Sequence, residues 1–224
     1  MEATRKTTRK KTTTSTREKI VVAYKKSVLL TGNPPVSVFS FCLDNGIKEG
    51  DFYSSFGSFQ GLERAIWKDL MDATISRLTH DKAFGGFSAR EKVLALYYTL
   101  MEELMRDRSY AVFKLNAIGR LDIVPSFLRD FKESYKGFMV SIISEGQESG
   151  EIAKRPYLDN RYPQLFWIYL VQFLQYWKED DSLSFEKTDA YVEKSVRLAF
   201  DLIGRGALDS AVDFARFMLQ SRLK

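Results

Sequence analysis

The sequence predicts an all-α protein of about nine to ten helices, a three-helix N-terminal domain of the helix-turn-helix kind followed by a larger helical domain. Apolar residues recur at spacings of three and four through most of the chain. No alternating strand pattern longer than a few residues interrupts them. The stretch from Gly46 to Ser58 has the dimensions of the turn and second helix of a helix-turn-helix.

Residues 1–16 are rich in Thr, Lys and Arg, with no apolar residue beyond Met1 and Ala3, and cannot bury a core. They are expected to be a disordered basic arm. Up to residue 19 the chain carries Arg5, Lys6, Arg9, Lys10, Lys11, Arg17 and Lys19 against Glu2 and Glu18, so the whole formal net charge of +5 lies there and the remainder is neutral. Such an arm suits phosphates and the minor groove, a solubilising role, or an anionic membrane.

Pro34 and Pro35 suit the first turn of a helix over Val36 to Leu43, and Asn45-Gly46 ends it because both tolerate a left-handed backbone. A second short helix runs from about Lys48 to Ser55, with Ile47, Phe52 and Phe56 spaced to pack on one side and Tyr53 on the flank. Ser58 caps a third helix carrying Leu62, Ile66 and Leu70. Ser88-Ala89-Arg90-Glu91 is a capping box opening the next. Shorter and longer helices follow from about Tyr110 to Ile118 and from Pro125 to near Gly150. Pro163 opens a helix apolar nearly all round, which must be covered on more than one side, and another runs from about Ser184 to Ile203. After Gly204-Arg205-Gly206, residues 205–224 read as a final amphipathic helix, with Leu208, Val212, Phe214, Met218 and Leu219 on one half. It can pack on its own body, bind a partner, or lie on a membrane.

Single Cys and His residues, Cys42 and His80, exclude an internal disulfide and the usual His/Cys metal sites and disfavour a catalytic dyad, so no enzyme and no cofactor is expected. Cys42 reads as a small buried group and His80 as structural or solvated. No stretch of about 18 uncharged apolar residues occurs. A cytoplasmic protein is expected.

Ser37, Gly46, Ile47, Gly50, Tyr53, Phe56, Ser58 and Leu62 together match the pattern of the TetR-type repressor family, which residues 17–80 resemble. Glu145-Gly146 and Gly150-Glu151 resemble the family's usual ending of its seventh helix. The chain departs from the pattern at Lys48, where the family has a capping Ser or Thr, at Asp51, where it has a small or hydroxylated residue, at Phe59, where relatives have a phosphate-binding lysine, and in the bulk of Phe39, Phe41 and Cys42, while Glu49 adds a second carboxylate.

The resemblance implies a ligand-responsive, homodimeric DNA-binding repressor whose partners are double-stranded operator DNA and a small apolar effector. In that reading Ser37, Lys48, Asp51, Tyr53 and Ser54, with Arg9, Lys10 and Lys11 of the arm, meet DNA. Residues 81–204 form the ligand-binding and dimerisation domain. Its pocket is expected among Tyr97, Met101, Met105, Phe113, Phe138, Met139, Phe166 and Tyr169, although a filled core explains each residue as well. A four-helix dimer contact is expected to use Phe173, Tyr176, Trp177, Tyr191, Val192, Val196, Ala199 and Leu202, unless they fill the monomer's core. The helix in 205–224 is expected to lie beyond the family's usual end. The chain is also similar to a lipid carrier of ubiquinone biosynthesis built on the same fold. That alternative implies loss of sequence-specific DNA binding, an apolar lipid as ligand, and membrane contact through 205–224.

Overall fold

A computed structural model describes residues 15–118, 124–155, 158–204 and 206. Among them are nine α-helices, joined by short 3-10 turns and without strands. The expected arm, including Arg9, Lys10 and Lys11, and the expected last helix lie outside the described residues, apart from the arm's last two positions and Gly206. The chain divides into two compact units, residues 1–62 and 63–224.

In the first unit, α1 (Thr16–Thr31) opens on a capping box between Ser15 and Glu18, so the helix already includes residue 16, which was expected in the arm. It ends at Gly32 with φ 70°, a backbone that favours glycine. Next, α2 (Val38–Asp44) starts two residues later than the prolines suggest. Ser37 is its N-cap and accepts the Ser40 N–H at 3.1 Å, leaving Pro34 and Pro35 outside the first turn. Gly46, φ 62°, makes the turn into α3 (Glu49–Ser55). The core is a knot of rings. Phe59 stacks on Tyr24 at 5.4 Å and meets Phe41 and Phe52 edge-on at 5.5 and 5.4 Å, with Ile20, Val28 and Cys42 buried around them. Phe39 does not join it. At 64% exposure it faces outward, so the expected bulkier packing comes from Phe41 and Cys42 alone.

Helix α4 (Phe59–His80) begins in the first unit and continues through the second. His80 sits exposed at its end, its Nδ1 2.7 Å from the Ser76 carbonyl. The second unit adds α5 (Ala89–Arg106), with the expected capping box at Ser88, and α6 (Arg108–Asn116), two residues ahead of its expected start. Pro125 opens a 3-10 turn before α7 (Arg129–Ser149) rather than the helix itself. Pro163 lies in the first turn of α8 (Tyr162–Glu179). Helix α9 (Glu186–Ile203), the last among the described residues, starts later than Ser184 because Ser184 and Phe185 both take positive φ, 52° and 61°. All three tryptophans, Trp67, Trp167 and Trp177, are buried in this unit's core. No helix among the described residues is long and apolar enough to cross a membrane.

The Glu-Gly and Gly-Glu pairs around the end of α7 explain one packing contact. A Cβ on Gly146 would lie 2.7 Å from the Ile152 Cδ1 and 2.8 Å from the Ala89 Cβ, so only glycine lets α7 come this close to the start of α5. Gly150, φ 81°, turns the chain, and the Glu151 carboxylate then accepts the Ala89 and Arg90 N–H groups at 2.7 and 3.0 Å. A helix N-terminus is thereby capped by a residue from another helix's end. Glu145 pairs with the buried Lys92 beside it.

Candidate functional site

The candidate recognition surface lies on α2 and α3. The turn at Gly46 brings their ends together, and burial of Phe52 and Phe56 fixes which side of α3 faces out. Lys48 is the N-cap of α3 by backbone geometry and its exposed side chain makes no cap bond. Tyr53, 53% exposed, stands edge-on to Phe52 with its ring centroid at 5.6 Å. Ser54 is exposed, though its hydroxyl donates back to the Asp51 carbonyl at 2.9 Å. Ser37 is exposed but its oxygen is engaged with Ser40. Five of the eight expected contact residues thus share α2, α3 and their caps.

Glu49 and Asp51 occupy the first turn of α3. Carboxylates there are favoured by the helix's own N–H groups and dipole, a local reason for both that needs no base contact. Their charge also reaches the core: burial, then Glu49 and Asp51, pushes the Cys42 thiol pKa up, which keeps it protonated. Phe59, at the position of the relatives' lysine, is spent on the ring knot and offers no cation to a phosphate.

Beside this surface, α1 and α2 enclose a hollow of about 490 Å³ lined by Lys26, Leu30, Pro34, Val36, Phe41 and Asp44 among others. Leu30, Val36, Phe39 and Leu43 are all exposed. Sequence reading missed this apolar collar, although apolar residues on both sides of so short a helix as α2 were its signal.

Among the described residues the expected effector residues are spread between the core and the surface. Tyr97 and Met139 are fully buried in the core. The Tyr97 and Tyr135 hydroxyls are 2.8 Å apart, and Tyr135 donates to the Phe166 carbonyl at 3.0 Å. Burial pushes both phenols' pKa values up, so they remain neutral. Phe138 stacks on Phe84 at 5.9 Å, Met101 and Phe113 are half-buried, and Met105 is partly exposed. Phe166 and Tyr169 instead line an apolar groove of about 280 Å³ on the outer side of α8 and α9, with Leu158, Tyr162, Leu165, Ala199, Leu202 and Ile203.

The expected dimer residues divide likewise. Phe173, Trp177, Val192 and Val196 have no exposed surface and belong to the chain's own core, because α8 and α9 turn those faces inward. They cannot meet a second copy. Tyr176, Tyr191 and Ala199 are half-buried and Leu202 is exposed. Tyr191 stacks between Tyr169 and Tyr176 at 6.1 and 4.4 Å, and Leu165, Ile168 and Leu198 are exposed on the same two helices.

Sequence reading also missed the buried polar pairs. The Lys114 ammonium on α6 donates to Glu63 on α4 at 2.7 Å and lies over the Phe127 ring at 5.0 Å. Arg108 lies between the Trp177 and Phe185 rings, 4.6 and 4.5 Å from their centroids, and donates to the Asp180 carbonyl at 3.1 Å. A cation within an apolar run, as in Ala111-Val112-Phe113-Lys114-Leu115, was the available signal.

A family model described as the tetracyclin repressor-like C-terminal domain matches residues 92–218. Most of the segment after Gly206, expected to lie beyond the family's usual end, is therefore inside the matched domain. Among solved structures, a tetR family transcription regulator from Shewanella sp. PV-4 is similar with a TM-score of 0.56 at 13% identity, over 83% of this chain and 96% of that one. A regulatory protein in the tetR family from Rhodococcus RHA1 gives 0.55 at 13% identity, over 87% and 100%. Reduced NemR from E. coli gives 0.52 at 15% identity, over 86% and 100%. These likenesses establish a shared fold. No curated protein matches the chain.

Proposed function

The chain belongs to the tetracyclin repressor-like family, and from that premise we propose that it is a dimeric, ligand-responsive, non-enzymatic repressor of transcription. The observation that carries this reading is the outward face of α3, where Lys48, Tyr53 and Ser54 stand exposed beside the exposed Ser37 cap of α2. Lys48 meets a phosphate or a guanine edge, Tyr53, Ser54 and Ser37 bond phosphates or base edges, and Asp51 accepts from a cytosine amine. Arg9, Lys10 and Lys11 add salt-dependent affinity from the arm. Residues 17–80 are the DNA-binding domain, and 81–204 take the effector and dimerise. Two copies meet through the outer faces of α8 and α9 at Tyr176, Tyr191, Ile168 and Leu198, setting two copies of α3 about one DNA turn apart. An apolar effector changes that spacing by favouring one arrangement of the second unit.

The test is a mobility shift on DNA upstream of the protein's own gene at several salt concentrations. A sequence-preferring complex is expected, with Tyr53→Ala weakening it about tenfold. Binding that shows no preference for that DNA over an unrelated duplex refutes the reading.

Phe59 favours a second reading. With the phosphate-binding position given to the ring knot and an apolar collar beside it, the same fold can serve as a carrier of an apolar lipid. Mass spectrometry of molecules that copurify with the protein, lipid or none, decides between them.

A further inference from the structure

The first unit carries an uncovered hollow of about 490 Å³ between α1 and α2. Where residues 32–37 join the two helices its wall is apolar, with Pro34 between Leu30, 75% exposed, and the fully exposed Val36. Away from that junction stand two exposed charges, Lys26 on α1 and Asp44 as the last residue of α2. Other polar groups around the hollow are turned onto the backbone: the Thr31 hydroxyl donates to the Ser27 carbonyl at 2.9 Å, and the Asn45 side chain to the Phe41 carbonyl at 2.8 Å. Lys26 and Asp44 have no ion-pair partner among the described residues. The helix that carries Asp44 does not account for it either, because a carboxylate at a helix C-terminus meets the negative end of the dipole. One surface thus offers an apolar rim and one unspent charge of each sign. A body that matches all three is the same surface on another copy.

We propose that a second copy of the chain docks on this face, about a twofold axis along the hollow that sets α1 of each copy against α2 of the other. Lys26 then faces Asp44 and Leu30 faces Val36, each pair formed twice. The apolar rim is buried without leaving a charge unpaired. Ser37 directly follows Val36 and is covered with it, so in the regulator reading, on which this one consequence rests, the paired form is a DNA-free form. The pairing itself requires neither DNA binding nor the contact through α8 and α9, which uses other helices.

Sedimentation equilibrium of the full chain without DNA tests this, beside Leu30→Asp, which changes an exposed side chain and leaves the core intact. The parent's mass is expected to rise with concentration to twice that of Leu30→Asp. That is four chains against two when α8 and α9 also pair, and two against one when they do not, so failure of the regulator's dimer changes both masses and not their ratio. Lys26→Asp and Asp44→Lys each set like charges together and are expected to raise the half-association concentration about tenfold. An equal mixture of these two variants, in which unlike copies again join opposite charges, is expected to return it to about the parental value, a recovery that a structural role within one chain does not give. Equal masses for the parent and Leu30→Asp at every concentration, or a mixture that associates no better than either variant alone, overturns the proposal. Binding of the parent to phosphatidylcholine vesicles that Leu30→Asp abolishes, without self-association, also overturns it and gives the face to a lipid surface.

Discussion

In the first unit, helix ends are fixed by side chains three residues away and the middle by rings. Ser15 and Ser37 cap their own helices, and Phe59 with Tyr24, Phe41 and Phe52 fills the space between. The second unit also has a large apolar core, but polar side chains reach across it. Lys114 and Glu63 are 51 residues apart, Glu151 caps a helix begun 62 residues earlier, and Arg108 reaches the α8 terminus 72 residues on. The two halves therefore fail differently. A ring knot loses stability gradually as area is removed, whereas a buried clasp that loses one partner leaves a charge or an N–H in a place without water.

The sharpest way to break this contrast is Glu63→Leu, which leaves the Lys114 ammonium buried. It is expected to cost about 3 to 5 kcal/mol in urea unfolding, with Lys114→Met added to it recovering most of the loss. A double variant no better than the single would mean the pair is not the reason. Gly146→Ala ranks next at about 1 to 3 kcal/mol, because the new methyl group meets Ile152 and Ala89; thermal unfolding within error of the parent would show that α7 and α5 can part cheaply.

The third test uses acid. Burial alone would raise the Asp180 pKa, but hydrogen bonds from the hydroxyl and backbone N–H groups of Ser182 and Thr188 outweigh it and bring the pKa down to about 2. The folded value lies below the ordinary 3.8. Its stabilisation is therefore complete above pH 3.8 and lost as pH falls towards 2. Asp180→Asn is expected to flatten that part of the stability curve measured by circular dichroism, and an unchanged slope would assign the acid sensitivity to other carboxylates.

The same contrast explains what could be read from residues alone. Gly46, Ser88 with Glu91, and Pro163 are local signals whose meaning is complete within one turn, and each stands where the pattern put it. The helix ends that set the candidate recognition residues on α2 and α3 were legible for the same reason. Which side of α8 faces inward was not, because its aromatic residues occur all round, and only packing against α7 and α9 decides that Phe173 and Trp177 are core while Leu165 and Ile168 are surface. The clasps were hidden further, since no periodicity links Glu151 to Ala89. The apolar character of the effector residues specifies burial and does not by itself specify a shared cavity.

The placement of the three tryptophans has a practical consequence. All of them lie in the second unit, and the first contains none. Indole emission is therefore a one-sided reporter: it follows solvent entry into the second unit, while tyrosine and phenylalanine alone represent the first. Unfolding followed by this emission and by helical ellipticity will give superimposable curves only if the two units melt together, so the native chain already carries its own probe of whether they are coupled.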